Sequence, residues 1–255
     1  MSTAKKKPSR LAGLVRAVAV LGALTLVALS IWPRSADLSE ILDHVRDSLQ
    51  GASGAQAASE GQWLQSGATS IDPQQLASLD VAQQDRSDDD YERAEFGDGW
   101  ESTGDGCDVR DTVLDRDLVE VIYQDGSDCE VTGGTLHDPY TGTTIEGDVS
   151  ETVQIDHIVS LGDAWYSGAE GWSAEKREAF ANDLDNLVAV DASANMSKSD
   201  DSIAEWYTDW EPPSETAQCR YAAQYVDVLA SYDLSVTSDD YKLLKKLETD
   251  CKDLG

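Results

Sequence analysis

This sequence is short of histidine and of positive charge. It holds three histidines, His44, His137 and His157, so imidazole chemistry has three places to occur. Lysine and arginine number 19 against 49 aspartates and glutamates, for a formal net charge of -30. Seven of the basic residues (Lys5, Lys6, Lys7, Arg10, Arg16, Arg34 and Arg46) lie in the first fifty positions, which leaves twelve for the rest. Such a chain repels other polyanions at long range, and a nucleic-acid ligand would have to be held at a local site, by a cation or at high salt. No Cys-x-x-Cys pair exists among Cys107, Cys129, Cys219 and Cys251, which speaks against structural zinc. Internal repeats are absent. The longest apolar run, Ala17 to Trp32, has 16 residues, short of the roughly 20 of a full membrane span.

What is present begins with that run. "MSTAKKKPSR" is a basic region before an apolar stretch, the pattern of an export signal, and Ala28–Ser30 offers small residues for cleavage. An uncleaved signal-anchor with its basic end inside is the other reading. Either places the protein outside the cytoplasm, extracellular or at the cell surface, with membrane contact only through this segment. An even cysteine count there suggests two disulfides, and proximity favours Cys107–Cys129 and Cys219–Cys251.

Three regions follow: an export signal or signal-anchor at 1–36, a helix and flexible linker at 37–73, and a folded domain at 74–255. In the second, Leu38, Ile41, Leu42, Val45 and Leu49 keep helical spacing, with His44 off that stripe, before the Gly/Ala/Ser-rich "GASGAQAASEGQ". The acidic run "DRSDDDYERAE" reads as a solvated entry segment rather than a calcium loop. Strands are expected at Asp117–Tyr123 and Cys129–Leu136, then a turn at Asp138–Gly142 with a short strand after it. A strand is also expected in "TVQIDHIVSL", a helix from Ser173 to Asp183, and two helices at the C-terminus. The class is α+β.

"TVQIDHIVSL" sets Asp156 beside His157 in a β-branched apolar run. Neighbours on a regular strand face opposite ways, so a shared site needs a strand end, a bulge or a loop. Downstream come Asn186 in "DLDNLVAV", then Asn195 and Lys198 in "SANMSKSD". Phosphodiester hydrolysis needs a base for water and a hard cation for the developing charge. His157 suits the first role, and Asp156 and Asn195 offer oxygens of the kind magnesium prefers. Taken singly, each residue also has a plain structural reading. Asp156–His157 can be a core hydrogen-bonded pair, Asn186 a turn residue and Lys198 a solvated helix residue. Arg110 can be a partner of Asp108, Asp111 or Asp117, and His137 a turn brace. Trp165, Trp172 and Trp206 are core candidates before they are base-stacking platforms. Nearby carboxylates are expected to raise the pKa of His157 and set activity at neutral or alkaline pH.

The run "DHIVSLGDAW…GW…FANDLDNLVAVDASANMSKSDD…AEW", with "GCDVRDTVLDRDL" and "GGTLHDPYTGTTI" before it, resembles the HNH endonucleases of the ββα-metal (His-Me finger) type. It resembles in particular the secreted bacterial HNH-family proteins whose domain is also catalogued as a domain of unknown function. The resemblance covers Tyr91 to Cys251. It implies a ββα-metal core with an N-terminal β segment and a C-terminal helical pair. It also implies a metal-dependent endonuclease cutting DNA, with RNA as second candidate. By position, His157 matches the general base, Asp156 and Asn195 the metal ligands, and Asn186 the asparagine that braces the loop. Lys198 and Arg110 match residues that face substrate phosphate. The implied cofactor is Mg2+ or another divalent cation such as Mn2+, with no small-molecule cofactor; the implied partner is nucleic acid, bound non-specifically. This chain has Ser160 where many relatives have proline, Ser199 where they have glycine, and a small insertion around Tyr207–Glu211. A surface-anchored interaction module that keeps the fold with little or no activity is the alternative.

Overall fold

The computed structural model describes residues 67–86 and 90–252. The expected export segment, His44 and nearly all of the 37–73 helix and linker lie outside the described residues. Among those described, no helix is long and apolar enough to cross a membrane.

The first helix, α1 (Pro73–Ser78), starts on Asp72, whose side chain accepts the Gln74 and Gln75 amides, with proline at its first turn. A 3-10 turn at Arg93–Phe96 and the short strands β1 (Ser102–Gly104) and β2 (Cys107–Asp108) lead to α2 (Val109–Asp117). No helix is expected from the sequence there, because the apolar positions of "VRDTVLDRD" are few among charges. A capping box between Asp108 and Asp111 fixes its start, and Asp111 Oδ1 also accepts the Val131 amide at 2.9 Å. The Cys107–Cys129 disulfide ties the same helix start to the chain entering β4. Strands β3 (Val119–Tyr123), β4 (Val131–His137) and β5 (Thr144–Asp148) form an antiparallel sheet in that order. His137 braces its end through Nδ1 and Thr144 Oγ1, 3.2 Å apart. The turn after β4 closes at Gly142, with φ +69 and Pro213 only 2.6 Å from where a Cβ would stand, so glycine is required there.

The strand bearing the Asp–His pair is β6 (Val153–His157), shorter than the apolar run. The chain leaves it after His157, and Ser160 caps α3 (Leu161–Tyr166) by accepting the Asp163 amide. Helix α4 (Ala174–Ala181), capped by Ser173, and a 3-10 turn at Leu184–Asn186 return the chain to β7 (Leu187–Asp191). β7 pairs antiparallel with β6, from Val153 opposite Asp191 to His157 opposite Leu187. Asp191 then caps α5 (Ala192–Lys198) directly.

This two-stranded ribbon lies between two cores, which is why β7 is apolar on both faces from Leu187 to Val190. Val153, Ile155, Leu187 and Ala189 pack with Val113, Leu114 and Leu136. Val188 and Val190 pack on the other side with Tyr140, Trp206 and Tyr221. Cross-strand partners share a face, so Asp156, opposite Val188, is carried into the second core. That core is completed by α6 (Ile203–Trp206), α7 (Glu215–Tyr232) and α8 (Ser238–Asp250), with the Cys219–Cys251 disulfide joining the last two elements. The insertion contributes Trp210, which stacks on Trp206 at 4.2 Å and donates its indole N–H to the Tyr140 carbonyl at 2.8 Å. Trp165 and Trp206 are core residues, and Trp172 packs against that core.

Candidate active site

The end of β6, the start of α3, the C-terminal half of α5 and the segment 91–110 enclose a cleft of about 370 Å³. Asp156, His157, Asn195 and Arg110 all line it, so four of the six expected site residues share one hollow. α3 approaches α5 closely here. A Cβ on Gly162 would lie 2.6 Å from the Asp200 side chain, so glycine permits the contact.

His157 is 4 % exposed. Its Nε2 lies 2.9 Å from the Ala181 carbonyl at the end of α4. A carbonyl only accepts, so the neutral ring carries its proton on Nε2, and Nδ1 keeps a lone pair. Trp100 stacks on the ring with centroids 5.8 Å apart and planes 17° from parallel. Burial pushes the pKa of His157 down to about 3; the hydrogen bond to Ala181 opposes this, and the charges of Arg93 and Lys198 add to it. The expected upward shift is therefore corrected: burial sets the direction, and the charges that act on the ring are the cations Arg93 and Lys198, not carboxylates.

Lys198 is fully buried, with Nζ 2.9 Å from Asp156 Oδ2, 3.2 Å from Oδ1 and 2.7 Å from the His157 carbonyl. Tyr140 donates its hydroxyl to Asp156 Oδ2 at 2.6 Å, and burial, then Asp156, keeps that phenol protonated well beyond its usual range. The expectation that Lys198 faces a phosphate is corrected by this placement, since its ammonium is enclosed between β6 and α5. The last turn of α5 ends on the residue that neutralises Asp156, an acid turned into the core.

Asn186 is fully buried and braces the loop after β6. Its Oδ1 accepts the Val159 amide at 2.9 Å, its Nδ2 donates to the Val159 carbonyl at 3.2 Å, and its own carbonyl accepts the Ile158 amide. Asn195 donates from Nδ2 to Gln154 Oε1 at 2.9 Å. Arg110 donates to the Val153 carbonyl at 3.1 Å, and burial lowers its pKa despite Asp108 and Asp111. All four cysteines are in the two expected disulfides.

Among the described residues, no group of three or more histidines, cysteines, aspartates and glutamates is placed to hold a metal ion. Magnesium, however, often takes one or two protein oxygens and fills its shell with water and substrate phosphate. A carboxylate oxygen has two lone pairs. Lys198 and Tyr140 occupy three of the four positions on Asp156, which leaves one on Oδ1. A cation held by Asp156 and Asn195, which both line the cleft, would therefore be weakly held and substrate-assisted and not caged.

Sequence reasoning missed Arg93, Trp100, Tyr140 and Gln154. Tyr140 sits in the quoted "LHDPYTG" and could have been found there. Arg93 was hidden in an acidic run, and Trp100 reaches His157 only through the tertiary fold.

A buried histidine with a fixed tautomer, a carboxylate and an arginine-lined cleft are parts that nucleases use. The comparisons with known proteins agree. The family model described as the C-terminal domain of GmrSD restriction endonucleases matches residues 108–247, which include β6, β7 and α5. An "Uncharacterized secreted protein" of the fungus Arthroderma benhamiae is 38 % identical over 165 residues, 64 % of this chain and 76 % of that protein. This relative is fungal, whereas the resemblance in the sequence pointed to bacterial proteins. No solved structure matches. With over half of its length matched, and with Arg110, Asp156, His157, Asn186, Asn195 and Lys198 inside that match, the chain belongs to the GmrSD restriction endonuclease C-terminal domain family, a nuclease family.

Proposed function

We propose that this chain is an endonuclease of the ββα-metal, HNH type that hydrolyses phosphodiester bonds in DNA, with RNA as a second substrate. The observation that carries this reading is the His157 Nε2 contact with the Ala181 carbonyl. It holds the ring so that Nδ1 is the available base, on a residue that lines the cleft. The strand–strand–helix order β6, β7, α5 supports the assignment to the ββα type.

In this mechanism Nδ1 of His157 takes the proton of a water aimed at phosphorus, and the pushed-down pKa keeps the ring neutral and ready at neutral pH. Trp100 and the Ala181 carbonyl restrict the ring's rotation. Asn186 fixes the loop that follows, so the backbone at His157 does not drift. Arg110 offers positive charge to a phosphate oxygen. Asp156 and Asn195 would hold the divalent cation, Mg2+ or Mn2+, which when bound supplies charge to the oxygens that become more negative during cleavage. Lys198 keeps Asp156 oriented and does not reach substrate. The two disulfides, and the word "secreted" in the name of the fungal relative, support an extracellular site of action.

A second reading, an interaction module with the nuclease fold and little activity, is favoured by one observation. The ammonium of Lys198, 2.9 Å from Asp156 Oδ2, already supplies Asp156 with the positive charge that a metal cation would bring. Plasmid digestion by the full chain, with magnesium, with manganese and with EDTA, separates the two. The enzyme reading expects cleavage that EDTA abolishes. Intact plasmid under every metal and salt condition would leave the interaction module.

A further inference from the structure

In a chain with 49 carboxylates, a basic residue without an acidic partner is the exception that needs explaining. Of the twelve basic residues after Gly51, seven are in ion pairs among the described residues. Lys176 lies over the Trp172 ring at 3.9 Å, and Arg110 donates to a backbone carbonyl. Arg220 has an interaction of its own. Arg93 and Lys252 have neither a carboxylate nor a carbonyl partner among the described residues, and of these two Arg93 stands at the cleft. The Arg93 side chain lines the cleft and also a smaller hollow of about 70 Å³, and His157 and Trp100 line both.

The backbone beneath it is held firmly. The Arg177 guanidinium donates to the Glu95 carbonyl at 2.8 Å and to its carboxylate at 2.9 Å, and Phe96 packs on Phe180 with centroids 6.1 Å apart. A fixed backbone with a guanidinium that has no acidic partner among the described residues, beside a proposed base, is how a binding residue is built. Guanidinium also matches two phosphate oxygens at once, which a lysine does not.

We propose that Arg93 is a substrate-binding residue, which with Arg110 holds a phosphate of the nucleic acid beside His157 and lets a strongly acidic protein retain a polyanion. This rests on the nuclease reading and adds a residue to it. Its physical consequence is local: the binding charge is concentrated at the cleft, while the rest of the surface repels.

The test uses the full chain carrying His157→Ala, so that nucleic acid is bound and not cut. Binding of a short fluorescein-labelled single-stranded DNA is followed by anisotropy across a sodium chloride series in magnesium. Adding Arg93→Gln should weaken binding about tenfold and reduce the slope of log K against log salt by about 0.7, the share of one phosphate contact. Arg93→Lys should keep most of the slope and lose part of the affinity. Lys246→Gln, which removes a surface charge paired with Asp250, should change neither. An affinity within twofold of the parent with an unchanged slope for Arg93→Gln would overturn the proposal and leave the nuclease reading intact. An equal loss in Lys246→Gln would also overturn it, by assigning the effect to net charge. A parent that binds no DNA at any salt would remove the nuclease reading together with it.

Discussion

Lys198 Nζ stands 2.9 Å from Asp156 Oδ2 with no solvent on the lysine side chain, so the last turn of α5 is locked to the strand that carries His157. Removing one member of a buried pair leaves the other charged and uncompensated, a loss of about 3–5 kcal/mol. Lys198→Met is expected to lose that much in urea unfolding. Lys198→Met with Asp156→Asn should recover part of it, because no bare charge remains. A single variant within about 1 kcal/mol of wild type would show that the pair does not hold α5.

Stability should depend on pH through two buried groups of opposite sense. The pKa of His157 falls on folding from 6.5 to about 3. Between those values the unfolded chain holds a proton that the folded one lacks, and stability drops as pH drops. The pKa of Asp163 rises from 3.8 to about 6 through burial, a shift its hydrogen bond from Tyr225 opposes. There the folded protein holds the extra proton, and stability drops as pH rises. The two slopes offset each other from about pH 4 to 6. Asp163→Asn should expose the histidine slope, a fall approaching about 1.4 kcal/mol per pH unit on acidification through that window. Thermal melts at several pH values check this, and a variant whose slope matches wild type would contradict it.

The same shift sets the rate profile. With His157 neutral down to low pH, kcat/KM should keep its value between pH 7 and pH 5 when the cation is saturating. An acid limb centred near 6.5, the ordinary imidazole value, would show that the base is more solvated than its burial implies.

Ser199 has φ +51 and ψ -131, backbone that suits glycine far better than serine. This accounts for the glycine expected at that position from the family resemblance. Ser199→Gly is expected to stabilise the fold by about 1 kcal/mol, read as a higher melting midpoint with unchanged urea m-value. Ser160 departs from proline without such strain, because its hydroxyl caps α3.

Each disulfide should matter through the loop it closes. Cys219–Cys251 spans 32 residues, and removing it as a pair of serines should cost about 3–4 kcal/mol by loop entropy. Cys107–Cys129 spans 22 and anchors the helix start that carries Arg110. Its removal should therefore weaken DNA binding as well as stability, a difference visible by comparing the two double variants in one binding assay.

Much of this site could be read before the fold was known. The Asp–His pair at a strand end and both disulfides follow from residue order and local spacing, and the loop-bracing role of Asn186 from the family resemblance. What could not be read depends on which groups meet across the fold. Lys198 reads as a solvated helix residue because nothing near it in sequence shows that Asp156 turns into the same core. The sign of the His157 pKa shift was missed for the same reason: carboxylates are visible in a sequence, whereas burial under Trp100 and against Ala181 is not. Arg93 lies in a run whose acidity suggests a solvated tail, and only the packing of Phe96 on Phe180 brings it to the cleft.

The central claim is that His157 is the base. It is tested most directly by single-turnover cleavage of plasmid DNA at saturating magnesium, comparing the full chain with its His157→Ala variant. A positioned base contributes about 10²–10⁴-fold, so the variant should cut at least a hundredfold more slowly, with partial rescue by added imidazole. A variant that cuts within about fivefold of wild type would contradict the account, since removing a general base costs far more than that.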